Sequence, residues 1–179
     1  MVKRNAKPAS ESLTTMTEMV LPNDTNTLNN LMGGRMMHMM DIVAAIAAQK
    51  HSNRIVVTAS VDNITFSEPI SLGDVVTITA KVTRAFNSSM EVFLDVVAEN
   101  IPASRKKATN RAFFTFVAVD QLGTPINVPE VIPETPEEQE LYAGALRRRQ
   151  LRLILAGRMK PDDATELKLL FESPAKSKS

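Results

Sequence analysis

The chain of 179 residues has no cysteine. That excludes a disulfide framework, a thiolate zinc site and a cysteine nucleophile. Histidine is scarce too, at two residues, so no transition-metal site is expected and no cofactor beyond the substrate itself. Excess charge of one sign is missing: 21 Lys and Arg against 20 Asp and Glu leave a formal charge of +1. Nothing there calls for a nucleic-acid partner. Long apolar runs are absent as well, none approaching the roughly 18 residues of a membrane span. The basic stretch from Met1 to Lys7 has no apolar region behind it of the kind a secretory signal needs. The expectation is a cytoplasmic protein with no membrane-embedded part. What is present, 44% hydrophobic and 23% charged residues, suits one globular domain with its own core.

The chain is organised around Pro22 to His51, PNDTNTLNNLMGGRMMHMMDIVAAIAAQKH. It opens as a turn-rich loop, passes Gly33-Gly34 and becomes a helix, expected over Gly34 to Lys50. Met36, Met37, Met39, Met40, Ile42, Val43, Ile46 and four alanines leave that helix apolar on every side, so other structure must surround it. Asp41 stands in its middle, where a carboxylate is costly unless paired, hydrogen-bonded or used.

Residues 1–11 read as disordered, and Ser12 to Val20 as a first strand. After the helix the period changes. Arg54 to Phe66 is rich in β-branched residues and reads as a long strand. Val75 to Arg84 alternates Val76, Ile78, Ala80 and Val82 with polar partners, and Met90 to Glu99 alternates again. Asn87-Ser88-Ser89 is the short turn between them. Ile101 to Thr109 reads as a basic loop or strand end, and Arg111 to Asp120, apolar on both faces, as a central or interface strand. Four prolines between Pro125 and Pro136 mark an extended crossing. Glu137 to Met159 is helical in pattern, acidic early and basic late as the helix dipole prefers. A short helix over Asp162 to Phe171 and a disordered tail, 173–179, complete the chain. The expected division is a main domain over 12–132 and a helical extension over 133–172.

Sequential strands with tight connections pair antiparallel. A helix apolar all round then belongs on the concave face of a curved sheet, with a second subunit covering its remaining side. The fold class is α+β.

The segments PNDTN, GGRMMHMMD, VVTASVDNITFSEPISLGDVV, FNSSMEV and FFTFVAVD, in that order, resemble the hotdog-fold acyl-coenzyme A thioesterases of the cytosolic, brain-type and YciA-like group. The match runs from about Ser12 to Pro129. The resemblance implies a curved antiparallel sheet around a central helix, acyl-CoA hydrolysis, protomers paired edge to edge, and dimers assembled into hexamers as trimers of dimers. It assigns the catalytic pair to Asn26 and Asp41. The chain departs from the family's pattern at Leu28-Asn29-Asn30 and at Met32, so acyl-chain preference is not carried over.

Thioester hydrolysis needs an activated nucleophile and donors for the developing oxyanion. Asp41 suits the role of base for water, or of direct nucleophile. The backbone N–H groups at Gly33-Gly34 open a helix, where unpaired donors and the dipole favour negative charge. Gly34 and Asp41 are seven residues apart, about 10 Å along a helix, too far for both to serve one carbonyl. Asp41 of one subunit is therefore expected to work with Asn26 and Gly33-Gly34 of its neighbour.

Plainer readings stand beside these. Asp41 suits a structural role bonding a loop backbone, Asn26 a turn, and Gly33-Gly34 a simple helix start. His38 reads as a packing or interface residue. Thr58 reads as a site residue near Asp41 or as an ordinary strand threonine. For the phosphates of coenzyme A the candidates are Arg84 with Asn87, Ser88 and Ser89, and Arg105, Lys106 and Lys107; a solvated hairpin tip is the alternative for each. Arg147 to Arg149 read as a charged helix face or subunit contact, and the methionines as core or as a pliable acyl-chain wall. Two other functions fit parts of the pattern: a non-catalytic acyl-CoA-binding module, and a hotdog hydratase using His38 with Asp41.

Overall fold

The computed structural model describes residues 5–62, 64–66 and 68–172. The elements run β1 (Ala6–Pro8), β2 (Thr14–Met19), α1 (Gly33–Ser52), β3 (Ile55–Asp62), β4 (Val75–Ala85), β5 (Ser89–Asn100), β6 (Arg105–Val119), β7 (Glu130–Ile132), α2 (Pro136–Leu155) and α3 (Thr165–Glu172). They fall into two compact units, Met1–Glu134 and Thr135–Ser179. In the second, α2 starts on a capping box in which Thr135 and Glu138 satisfy each other's backbone N–H groups.

In the first unit β2, β4, β5, β6 and β3 lie side by side in that order, and every pair is antiparallel. Their alternation is that of a sheet with one buried face. Val76, Ile78, Ala80 and Val82 of β4, Met90, Val92, Leu94 and Val96 of β5, and Ala112, Phe114, Phe116 and Ala118 of β6 are all buried. Against them α1 packs Met36, Met39, Met40, Val43, Ala44, Ala47 and Ala48, touching all five strands. Each fully buried Val, Leu, Met or Phe contributes roughly 1.5–3 kcal/mol. The helix stops at Asn53, whose left-handed backbone (φ 53°) lets its N–H bond the Gln49 carbonyl.

One side of α1 stays open. Gly34, Met37, His38, Ile42, Ile46 and Gln49 are exposed, with Asp41 and Ala45 half-buried among them. The helix is thus apolar all round but enclosed on one side in a single protomer. Asp41 lies on the open stripe and is not embedded in the core.

The expected disorder of residues 1–11 is corrected for residues 5–11. β1 pairs in parallel with β7, and a short 3-10 turn at Ala9–Ser12 follows. Ser12 is fully buried; its hydroxyl donates to the Ala9 carbonyl (2.7 Å) and accepts the Val82 N–H (2.8 Å) beside a bulge in β4. These partners are distant in sequence, and a polar serine gives no local sign of them. Two strand limits also shift. β3 ends at Asp62, short of Phe66, and β6 begins at Arg105, so the stretch read as a basic loop or strand end is strand from there on. The tail 173–179 lies outside the described residues.

Candidate active site

Asp41 projects from α1 toward β3, where the Thr58 hydroxyl donates to its Oδ1 at 2.8 Å. The register explains this meeting. Val56 and Thr58 lie opposite Ala118 and Phe116, on the helix-facing side of the sheet. The ladder then slips between Thr58 and Ser60, so Ala59 is the extra residue of a β-bulge. A bulge bends its strand and re-aims the neighbouring side chain. Among the described residues Thr58 meets Oδ1 of Asp41, and no hydrogen-bond partner meets Oδ2.

The loop before α1 is built around Asn26. Its Oδ1 accepts the backbone N–H groups of Leu28 (2.9 Å) and Asn30 (3.2 Å), and its own N–H bonds the Asn30 carbonyl (2.8 Å). Asn26 is therefore a turn residue, and that role orients it. With the oxygen held inward, the Nδ2 donor is the end left to face outward. Asp24 ties the loop to the helix, accepting from Arg35 Nε at 2.9 Å and from the Leu21 N–H at 3.1 Å. Its carbonyl also accepts the Met32 N–H (2.9 Å), the last residue before α1 begins.

Asn26 and Gly33 share a cavity of about 330 Å³ with Met36, Phe66, Glu68 and Asn110. At Gly33 the approach is close: a Cβ would sit 3.2 Å from the Phe66 ring, which would have to shift slightly. Neither Asp41 nor Thr58 lines this cavity. Within one protomer the structure brings Asp41 to Thr58 and Asn26 to Gly33, and it leaves the two pairs apart.

The basic candidates separate in the same way. Arg105, Lys106 and Lys107 line a second cavity of about 430 Å³ with Ser71, Asp74 and Asn100. It adjoins the first: Lys107 Nζ donates to the Pro69 carbonyl (2.5 Å) and pairs with Glu68 (3.7 Å), both of which line the Asn26 cavity. Arg84, stacked over Phe86 at 5.6 Å, belongs with Asn87, Ser88 and Ser89 to the β4–β5 hairpin. That hairpin lies at the other end of twelve-residue β5, about 36 Å away at roughly 3.3 Å per residue. There the Asn87 and Ser88 carbonyls accept the Val128 and Ala118 N–H groups, so the turn is occupied in holding the chain crossing. His38 is exposed on the open stripe, and among the described residues no hydrogen bond joins it to Asp41. Among the described residues no group of His, Asp and Glu is arranged to hold a metal.

Three residues escaped the sequence reading. Asp24 and Arg35 fix the Asn26 loop, and Asn110 sits polar in the cavity. Asn110 did leave a sign, because it keeps the phase of Ala112, Phe114, Phe116 and Ala118 on the buried face.

A helix lying in the hollow of a five-stranded antiparallel sheet, with a carboxylate at its open side, defines a hotdog domain of the thioesterase class. Residues 28–103 match the family model described as the Thioesterase superfamily. The chain is 42% identical over 138 residues to the uncharacterized acyl-CoA thioester hydrolase YkhA of Bacillus subtilis, covering 77% of this chain and 80% of that one. A hexameric acyl-CoA thioesterase crystallised without ligand superposes with a TM-score of 0.83 at 39% identity, over 85% of this chain and 97% of that one. The Staphylococcus aureus acyl-CoA hydrolase, solved with butyryl coenzyme A and coenzyme A, superposes at 0.78 with 36% identity, over 86% and 95%. The chain belongs to the hotdog-fold acyl-CoA thioester hydrolases, and it is an acyl-CoA thioesterase. Structures of the Staphylococcus aureus protein include alanine variants at an asparagine, an aspartate and a threonine. Those positions are fifteen and seventeen residues apart, the spacing of Asn26, Asp41 and Thr58 here.

Proposed function

We propose that hydrolysis takes place at a seam between two copies of the chain, with Asp41 of one protomer acting on a thioester held by Asn26 and Gly33 of the other. The observation that supports this is the separation just described. A carboxylate steadied by Thr58 lies on the uncovered side of α1, and the cavity holding Asn26 does not include it. Asp41 takes a proton from a water that attacks the carbonyl carbon, or its carboxylate attacks directly and a water then hydrolyses the resulting anhydride. Either way the C–S bond breaks, the fatty acid is released, and the proton drawn from water passes to the departing coenzyme A thiolate. The Asn26 Nδ2 and the free N–H groups of Gly33 and Gly34 are the donors for the oxyanion, where the helix dipole adds to them. Arg105, Lys106 and Lys107 take the phosphates, since their cavity adjoins the Asn26 cavity. Arg84 and its hairpin are too far along the sheet to reach the same ligand within that protomer.

The same reading covers the open stripe of α1 and the exposed Ile55, Val57 and Val61 of edge strand β3 with a second protomer. Further assembly as a trimer of dimers fits the hexameric relative. The reaction draws on no cofactor besides the coenzyme A of its substrate. The proposed compartment is the cytoplasm; among the described residues no helix is long and apolar enough to cross a membrane.

Free-thiol release from a panel of acyl-CoA esters tests the assignment. Asp41→Ala is expected to stay folded and oligomeric while losing at least about a hundredfold in kcat. Full activity in that variant removes Asp41 from the chemistry. Tight acyl-CoA binding without thiol release at any chain length in the wild type points instead to a binding module.

A further inference from the structure

Asn110 stands where the alternation of β6 calls for an apolar side chain. It lies opposite Val96, in phase with the buried Ala112 and Phe114, and a bulge at Thr109 sets that phase. Its Nδ2 donates to the Thr65 carbonyl, which fixes the amide and points Oδ1 the other way. The residue is only 6% exposed, and Oδ1 is buried with no hydrogen-bond partner among the described residues. Buried acceptors are rarely left unpaired, because the lost hydration is not replaced. Asn110 is one of the residues around the cavity that holds Asn26 and Gly33.

We propose that Asn110 is a substrate-positioning residue whose Oδ1 accepts the N–H of the pantetheine amide nearest the thioester sulfur. The proposal rests on the reading of Asn26 and Gly33 as the thioester-holding half of the site. A fatty acyl tail carries no N–H and would leave the amide oxygen unpaired, so the tail does not belong beside it. The pantetheine arm places an amide N–H three bonds from sulfur, a separation that one cavity of about 330 Å³ spans while the carbonyl rests on Asn26. The rest of the arm then leads to the adjoining basic cavity of Arg105 to Lys107 and its phosphate-binding cations. Asn110 thereby sets which way the ligand runs: acyl group away, coenzyme toward Lys107.

The test compares three thioesters of one acyl group: with pantetheine, with pantetheine N-methylated at that amide, and with a simple alkanethiol. Asn110→Ala is expected to raise KM for the acyl-pantetheine about tenfold, as for one lost neutral hydrogen bond, with kcat little changed. N-methylation is expected to cost the wild type a similar factor and to cost Asn110→Ala nothing more. On the alkanethiol ester the two proteins are expected to be equal. An equal loss on all three esters, or no loss on any, overturns the proposal by making Asn110 structural or idle. Should Asn110→Ala fail to fold, the wild type alone decides: indifference to N-methylation overturns it. Failure of the wild type to cleave any of the three would instead count against the proposed thioester site.

Discussion

The Thr58 hydroxyl donates to Asp41 Oδ1 at 2.8 Å, across the gap between an edge strand and the open side of the central helix. The bond commits one carboxylate oxygen, and the proposed reaction uses the other. It forms next to the bulge at Ala59 in β3, where the strand bends.

Thr58→Ala is therefore expected to lower kcat by about tenfold to a hundredfold, the range for a hydrogen bond to a charged group. Thr58→Ser keeps the hydroxyl and is expected to recover most of the rate, whereas Thr58→Val is not. Thiol-release kinetics on the three variants make the comparison, and a fully active Thr58→Val would show the bond to be incidental.

The Asp24–Arg35 pair governs the loop that presents Asn26. Arg35→Ala is expected to lower kcat/KM about tenfold by loosening that loop. The pair is partly solvated, so thermal unfolding should register a loss of less than about 1 kcal/mol. A large stability loss with unchanged kinetics would assign the pair to the fold and not to the loop.

Much of this was legible in the sequence, for identifiable reasons. A change of apolar period separates α1 from the strands, and a lone acid among methionines and alanines announces Asp41. The order of residues 6–12 was not legible, because it depends on a parallel pairing with β7 and on the buried Ser12 hydroxyl. Nor did composition distinguish the two basic hairpins. Only the register of β5 puts Arg84 and Arg105 at opposite ends. Asn110 was readable in principle as a polar residue in apolar phase, but the buried Thr109 next to it, the extra residue of a bulge, makes the alternation seem to end at Arg111.

The basic cavity supplies a prediction by ligand truncation. Replacing Arg105 and Lys106 together by alanine is expected to raise KM for acyl-CoA about tenfold at low salt, and less as salt screens the phosphates. The same double variant should treat acyl-pantetheine, which lacks those phosphates, like the wild type. Arg84→Ala should leave both substrates unaffected, and a rise in KM confined to Arg84→Ala would reverse the assignment.

His51 couples stability to pH. It is fully buried near the end of α1, with Nε2 2.9 Å from the Pro129 carbonyl and Nδ1 without a partner among the described residues. Burial holds its pKa below the usual 6.5, although the bond to the Pro129 carbonyl pulls the other way. The unfolded chain takes a proton near 6.5 that the folded chain refuses. Its contribution is thus complete above that pH and is lost as pH falls through the lowered folded value. Urea midpoints are expected to drop on acidification from about pH 7.5 to 5.5, and to drop less in His51→Gln, which keeps a donor but does not titrate. Identical profiles for the two proteins would contradict this.

Subunit complementation reaches the central claim most directly. Asp41→Ala and Asn26→Ala are each prepared inactive, then unfolded and refolded together, and the mixed oligomers are verified by mass. In a two-fold dimer with shared sites, each hybrid rebuilds one intact site from the unaltered Asp41 of one chain and the unaltered Asn26 of the other. Random pairing then predicts recovery of about a quarter of wild-type thiol release. Activity no greater than the average of the two parent variants, in oligomers shown to be mixed, would mean that each chain carries its whole site.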